Sequence, residues 1–133
     1  MADGVPLIDD YMARDLITLS PGDDIHAAMR LLIDGRISGA PVLDAGGHLV
    51  GMLSKKDCLK VVFQSSYHQD WGGRVEEFMS AQVETMASGM SVIEAAEHFA
   101  KSPFRRFPVM HEGRLVGQIS RHDILAAMEA LWD

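Results

Sequence analysis

The chain repeats itself: residues from about Asp10 to Val62 recur, in the same chemical order, from about Glu77 to Met128. Setting Met12 against Met79, an offset of 67 positions, also aligns Thr18/Thr85, Gly22/Gly89, Ala28/Ala95, Pro41/Pro108 and Val42/Val109. Dropping one residue at Asp44-Ala45-Gly46-Gly47 makes the offset 66 and aligns Gly47/Gly113, Leu49/Leu115, Val50/Val116, Gly51/Gly117, Ser54/Ser120, Asp57/Asp123 and Leu59/Leu125. Turns are where a duplicated unit tolerates a change of length. Any fold for this chain must therefore build one small unit twice.

Each copy reads as short strand, helix, strand, turn, strand, helix. Leu16–Leu19 is a short β segment closed by Ser20-Pro21-Gly22. Asp23 or Asp24 can cap the next helix, with Ser91 as counterpart. Its apolar stripe is Ile25, Ala28, Met29, Leu32 and Ile33, matched by Val92, Ala95, Ala96, Phe99 and Ala100. Ala40–Leu43 and Phe107–Met110 open hairpins whose prolines are expected at a strand start, where a missing N–H is tolerated. His48–Ser54 and Arg114–Ser120 return, and helices begin near Lys55 and Arg121. Their apolar positions are Cys58, Leu59, Val62 and Phe63 in one copy and Ile124, Leu125, Met128, Leu131 and Trp132 in the other. The polar stretch 64–74 reads as a connector in which Trp71 anchors packing. A lobe of about 50 residues is too small for a good core of its own, so the lobes are expected to pack together about a pseudo-twofold axis.

Composition narrows the function. At 47% hydrophobic and 23% charged, the 133 residues lie in the globular range. The apolar runs fall far short of the roughly 20 residues a membrane span needs, and the polar start does not read as a secretory signal. The charge of −7 offers no basic stripe for nucleic acid. A single cysteine, Cys58, forms no disulfide within the chain and points to a reducing cytoplasm. No nucleophile elbow, phosphate-binding lysine loop or zinc-protease motif is present, and the six histidines lack metal-ligand spacing. An enzyme is not expected, nor a required cofactor or metal.

The candidate chemistry lies in two heptapeptides, Gly51-Met52-Leu53-Ser54-Lys55-Lys56-Asp57 and Gly117-Gln118-Ile119-Ser120-Arg121-His122-Asp123. Each brings a serine to the mouth of a helix with an aspartate three residues on. That pattern is a capping box, with the serine accepting from the N3 amide while the acid reaches back. The same geometry suits a nucleotide. Free N–H groups and the positive dipole end favour a phosphate, a serine can donate to it, and a carboxylate can accept from ribose hydroxyls.

Taken together, the Asp-Tyr-Met start, Thr18, Pro21-Gly22-Asp23, Ala40-Pro41-Val42-Leu43-Asp44 and Leu49-Val50-Gly51-Met52-Leu53-Ser54-x-x-Asp57 resemble the CBS (cystathionine beta-synthase) domain. Two such copies resemble a tandem pair, the Bateman module, over about residues 8–131. The resemblance implies an α/β (α+β) fold with a three-stranded sheet and two helices per repeat, spanning 8–63 and 75–131 around the connector. It implies adenosyl ligands (AMP, ADP, ATP or S-adenosylmethionine) in clefts between the repeats. Ser54 and Ser120 would meet phosphate and Asp57 and Asp123 the ribose. Main chain near Thr18 and Thr85 would face adenine, beside Ala40-Pro41 and Phe107-Pro108. Arg106 matches a basic position that reaches phosphate in nucleotide-sensing members, whereas copy one has Gly39 there. One good site and one weak or empty one are therefore expected.

The resulting expectation is a regulatory sensor, homodimeric, that signals to a separate, unidentified protein. The rival is a dimerising scaffold whose Ser-x-x-Asp elements are only caps.

Overall fold

The computed structural model describes residues 4–68 and 72–132. Two compact units emerge, and neither coincides with one sequence copy. A central unit runs from Ile17 to Val83, and a terminal unit joins the residues up to Leu16 to those from Glu84 onward.

The central unit contains α1 (Ile25–Asp34), β1 (Gly39–Leu43), β2 (Leu49–Ser54) and α2 (Lys55–His68). The terminal unit contains β3 (Met86–Ala87), α3 (Val92–Ala100), β4 (Arg106–His111), β5 (Arg114–Ser120) and α4 (Arg121–Leu131). In the terminal unit the sheet has three strands in the order β3-β4-β5, with β3 parallel to β4. In the central unit β1 and β2 pair alone, and the strand expected over Leu16–Leu19 shrinks to one bridge between Leu19 and Val42. Leu19 N–H still donates to Pro41 O (2.9 Å) and Leu43 N–H to Leu19 O (2.8 Å), so the chain path is kept while the ladder is short.

Each unit is closed by a strap borrowed from the start of the other copy. Ile8 N–H donates to Met90 O (2.9 Å) and Val92 N–H to Pro6 O (3.0 Å). At equivalent positions Val75 N–H donates to Asp23 O and Ile25 N–H to Gly73 O, both 2.9 Å. Further along, Ala13 exchanges two backbone bonds with Gln118, and Ser80 exchanges two with Met52. Ile8 and Met12 thereby enter the terminal core, and Val75 and Phe78 the central one.

The straps also explain the prolines, which lie inside β1 and β4 rather than at their starts. Pro41 faces Met52 and Pro108 faces Gln118. Met52 and Gln118 spend their N–H and C=O on Ser80 and Ala13, so the proline rung needs no N–H from its own side. Close strap contact demands glycine at the neighbouring rung. A Cβ on Gly51 would lie 2.6 Å from Met79 Sδ and 2.9 Å from Ser80 O, and one on Gly117 2.6 Å from Met12 Sδ and 2.9 Å from Ala13 O.

The helical stripes are narrower than the periodicity predicts. Ile25, Ala28 and Leu32 are buried on α1 and Val92, Ala95 and Phe99 on α3, while Ile33 and Ala100 are exposed. Among the described side chains of α2 and α4 the buried apolar ones are Cys58 and Val61, and Ile124 and Ala127. Leu59, Val62, Phe63, Leu125, Leu131 and Trp132 are exposed. Asp24 and Ser91 cap α1 and α3, accepting from Ala27 and Glu94 N–H (both 3.1 Å). Helix α2 continues through His68, into the stretch expected to be a connector, and Trp71 lies outside the described residues.

Candidate functional site

Both heptapeptides are strand-to-helix junctions, and both caps form. In the central unit Ser54 N–H donates to Asp57 Oδ2 (2.9 Å) and Asp57 N–H to Ser54 Oγ (3.0 Å). In the terminal unit Ser120 N–H donates to Asp123 Oδ2 (2.9 Å) and Asp123 N–H to Ser120 Oγ (3.2 Å). In a reciprocal cap the serine oxygen accepts, which leaves its hydroxyl proton to donate elsewhere, and the carboxylate uses only one oxygen. Capping and ligand contact are thus chemically compatible.

The two junctions differ in what surrounds them. Asp57 is buried, and its Oδ1 is held by Lys60 Nζ at 3.2 Å. Ala126 stands at the position equivalent to Lys60, and Asp123 Oδ1 has no hydrogen-bond partner among the described residues. Across the hairpin the registers are Gly39↔Ser54 and Arg106↔Ser120. Antiparallel partners share a sheet face, so Arg106 stands beside Ser120 where the other unit has no side chain. Arg106 Nε is buried and has no hydrogen-bond partner among the described residues. Arg105, on the alternate face, is exposed.

The remaining expected residues divide by face. Ala40 and Phe107 turn into the cores, Phe107 edge-on to Phe99 with ring centroids 5.0 Å apart, so only their main chain is left for a ligand. Pro41 and Pro108 alternate to the opposite face, the one that carries Ser54 and Ser120. Thr18 and Thr85 are exposed, each one residue before the element that pairs with its hairpin. Sequence reasoning passed over Lys60 and Gln118. The signal for Gln118 was available, since it is a polar residue in a strand whose counterpart is Met52. Cys58 behaves as core: burial first, and then the neighbouring Asp57 charge, push its thiol above the ordinary value. Among the described residues no cluster of side chains could hold a metal, and no helix is long and apolar enough to cross a membrane.

Residues 8–64 and 75–130 each match the CBS domain family. The chain belongs to that family. Its two CBS repeats are similar in fold to CBSX2 solved in complex with AMP, at 24% identity and a TM-score of 0.82 over 96% of this chain and 98% of that one. They are also similar to the CBS domain pair of protein MJ0100, solved in complex with 5′-methylthioadenosine and S-adenosyl-L-methionine. That match has 26% identity and a TM-score of 0.79 over 96% and 98% of the two chains. Among curated relatives, CBS domain-containing protein YhcV of Bacillus subtilis is 29% identical over 88% of this chain and 81% of its own. Several other relatives are much longer, and this CBS pair spans only 22–44% of their length.

Proposed function

We propose that this CBS pair is a regulatory sensor of adenosyl ligands (AMP, ADP, ATP or S-adenosylmethionine) and that the terminal-unit junction is its principal site. The observation that carries the reading is Arg106 directly across the hairpin from Ser120, with its buried Nε unpartnered. A buried donor without an acceptor costs about 1–3 kcal/mol, and a phosphate oxygen is an acceptor that would recover it. Ser120 O–H is a second donor to the same phosphate, and Asp123 Oδ1 is open to the ribose hydroxyls. The central-unit junction is the weaker one, because Gly39 supplies no cation and Lys60 already occupies Asp57 Oδ1. The adenosyl compounds bound to the MJ0100 pair support the ligand class.

In this reading the module does no chemistry. Ligand binding favours one conformation over another, and a separate protein reads the difference. The module works as a homodimer in the cytoplasm, a setting in keeping with its one buried thiol.

The test is calorimetry and thermal shift with AMP, ADP, ATP, S-adenosylmethionine and NADH on wild type, Asp57→Ala and Asp123→Ala. Asp123→Ala should abolish the principal binding event and Asp57→Ala should leave it. No binding of any ligand at millimolar concentration ends the sensor reading in favour of the scaffold.

A further inference from the structure

The face of β4 and β5 that carries Arg106 and Ser120 has a second rung, formed by Pro108 and Gln118. Gln118 Nε2 is buried and, like Arg106 Nε, has no hydrogen-bond partner among the described residues. Its backbone is fixed by two 2.9 Å bonds to Ala13, which sets the point on the strand from which the side chain departs. Two residues along a strand separate the rungs by about 6.6 Å, the scale of one ribose between a phosphate and a base. In the central unit the same two rungs carry Gly39 opposite Ser54 and Met52 opposite Pro41, with no side-chain hydrogen-bond donor beyond the serine.

We propose that Gln118 reads the base of the ligand held by the terminal-unit junction. This rests on the adenosyl reading of that junction and adds to it the residue that selects the base. A carboxamide carries a donor and an acceptor side by side, and adenine answers with its N7 acceptor and N6 amino donor. Guanine offers acceptors at both N7 and O6, so the same carboxamide satisfies only one of them. Arg106 and Ser120 take the phosphate and contribute equally for either purine. Selectivity therefore sits on the second rung and affinity on the first.

The experiment is calorimetric titration of AMP and GMP into the full chain as wild type, Gln118→Met and Arg106→Gly, each variant installing the residue of the central unit. Gln118→Met should weaken AMP about tenfold or more and GMP by less, because guanine loses one bond where adenine loses two, so the preference shrinks. Arg106→Gly should weaken both nucleotides alike. Circular dichroism melts confirm that each variant is folded, as Met52 at the equivalent strand position leads one to expect. If wild type binds AMP and Gln118→Met keeps the same AMP-to-GMP ratio, the inference is overturned while the sensor reading stands. If wild type binds neither nucleotide nor any other adenosyl ligand, both fall.

Discussion

At the residue scale, each capped serine accepts from its helix and keeps a hydroxyl proton to donate, and two other residues make the local energetics testable. Asp9 ties the first strap to the terminal unit, accepting from the Ser88 hydroxyl and from Gly89 N–H at 2.7 Å. Burial works to raise its pKa, but the bonds from Ser88 and Gly89 and the nearby Arg14 charge outweigh it and hold the carboxyl below the ordinary 3.8. A carboxylate depressed in the native state stabilises the fold above its unfolded pKa, and that stability is lost as pH falls through the native value. Asp9→Asn should therefore cost about 1 kcal/mol at pH 7, and the difference from wild type should shrink in chemical denaturation as pH falls from 3.8 through the lower native value. Cys58 gives the opposite sign. With its thiol pushed up by burial and by Asp57, it should react with a disulfide reagent at neutral pH far more slowly than in denaturant. Reaction at the same rate in both conditions would refute its placement in the core.

At the scale of elements, the strap–hairpin contact is the tightest joint in each unit. Gly117→Ala should destabilise by about 1–3 kcal/mol, because the Met12 side chain can move but the Ala13 carbonyl at 2.9 Å is main chain held in a bridge. Adding Met12→Ala should not rescue it, and a full rescue read from urea midpoints would show the sulfur to be the only obstacle. This joint also marks where sequence reading succeeded and where it stopped. The helix starts at Lys55 and Arg121, the cap at Ser91, the cap at Asp24 as one of two candidates with Asp23, and the hairpin turns were legible because each depends on neighbours within four residues. The Ser54/Asp57 and Ser120/Asp123 caps were legible for the same reason. The pairing of Ile8 with Met90, or of Val75 with Asp23, joins residues far apart in sequence, and no local pattern encodes it. Lys60 escaped because its partner Asp57 reads as a ligand residue, and Leu59 and Leu125 were legible only as apolar helix positions, because periodicity cannot tell a core stripe from a stripe awaiting a partner.

Across the whole molecule, one apolar position is left outside the core in both copies. Leu59 on α2 and Leu125 on α4 occupy equivalent positions in the two copies and are 67% and 69% exposed. A chance surface leucine needs no explanation, but exposure of the same residue at the same place in both copies means that the duplication kept an apolar position the core does not use. If a second chain covers these helices, as the homodimer proposal holds, each leucine removed from water contributes about 1.5–3 kcal/mol to association. A charge at that position would have to be buried without a partner. Leu59→Glu combined with Leu125→Glu should therefore yield a monomer by light scattering at concentrations where wild type is a dimer. The caps and cores of both units lie on other faces of α2 and α4, so the variant should still fold. Its titration with AMP then separates two kinds of sensor. Unchanged affinity means that each chain binds alone and the dimer only transmits the result; a loss of affinity in step with dissociation means that binding and assembly are one equilibrium.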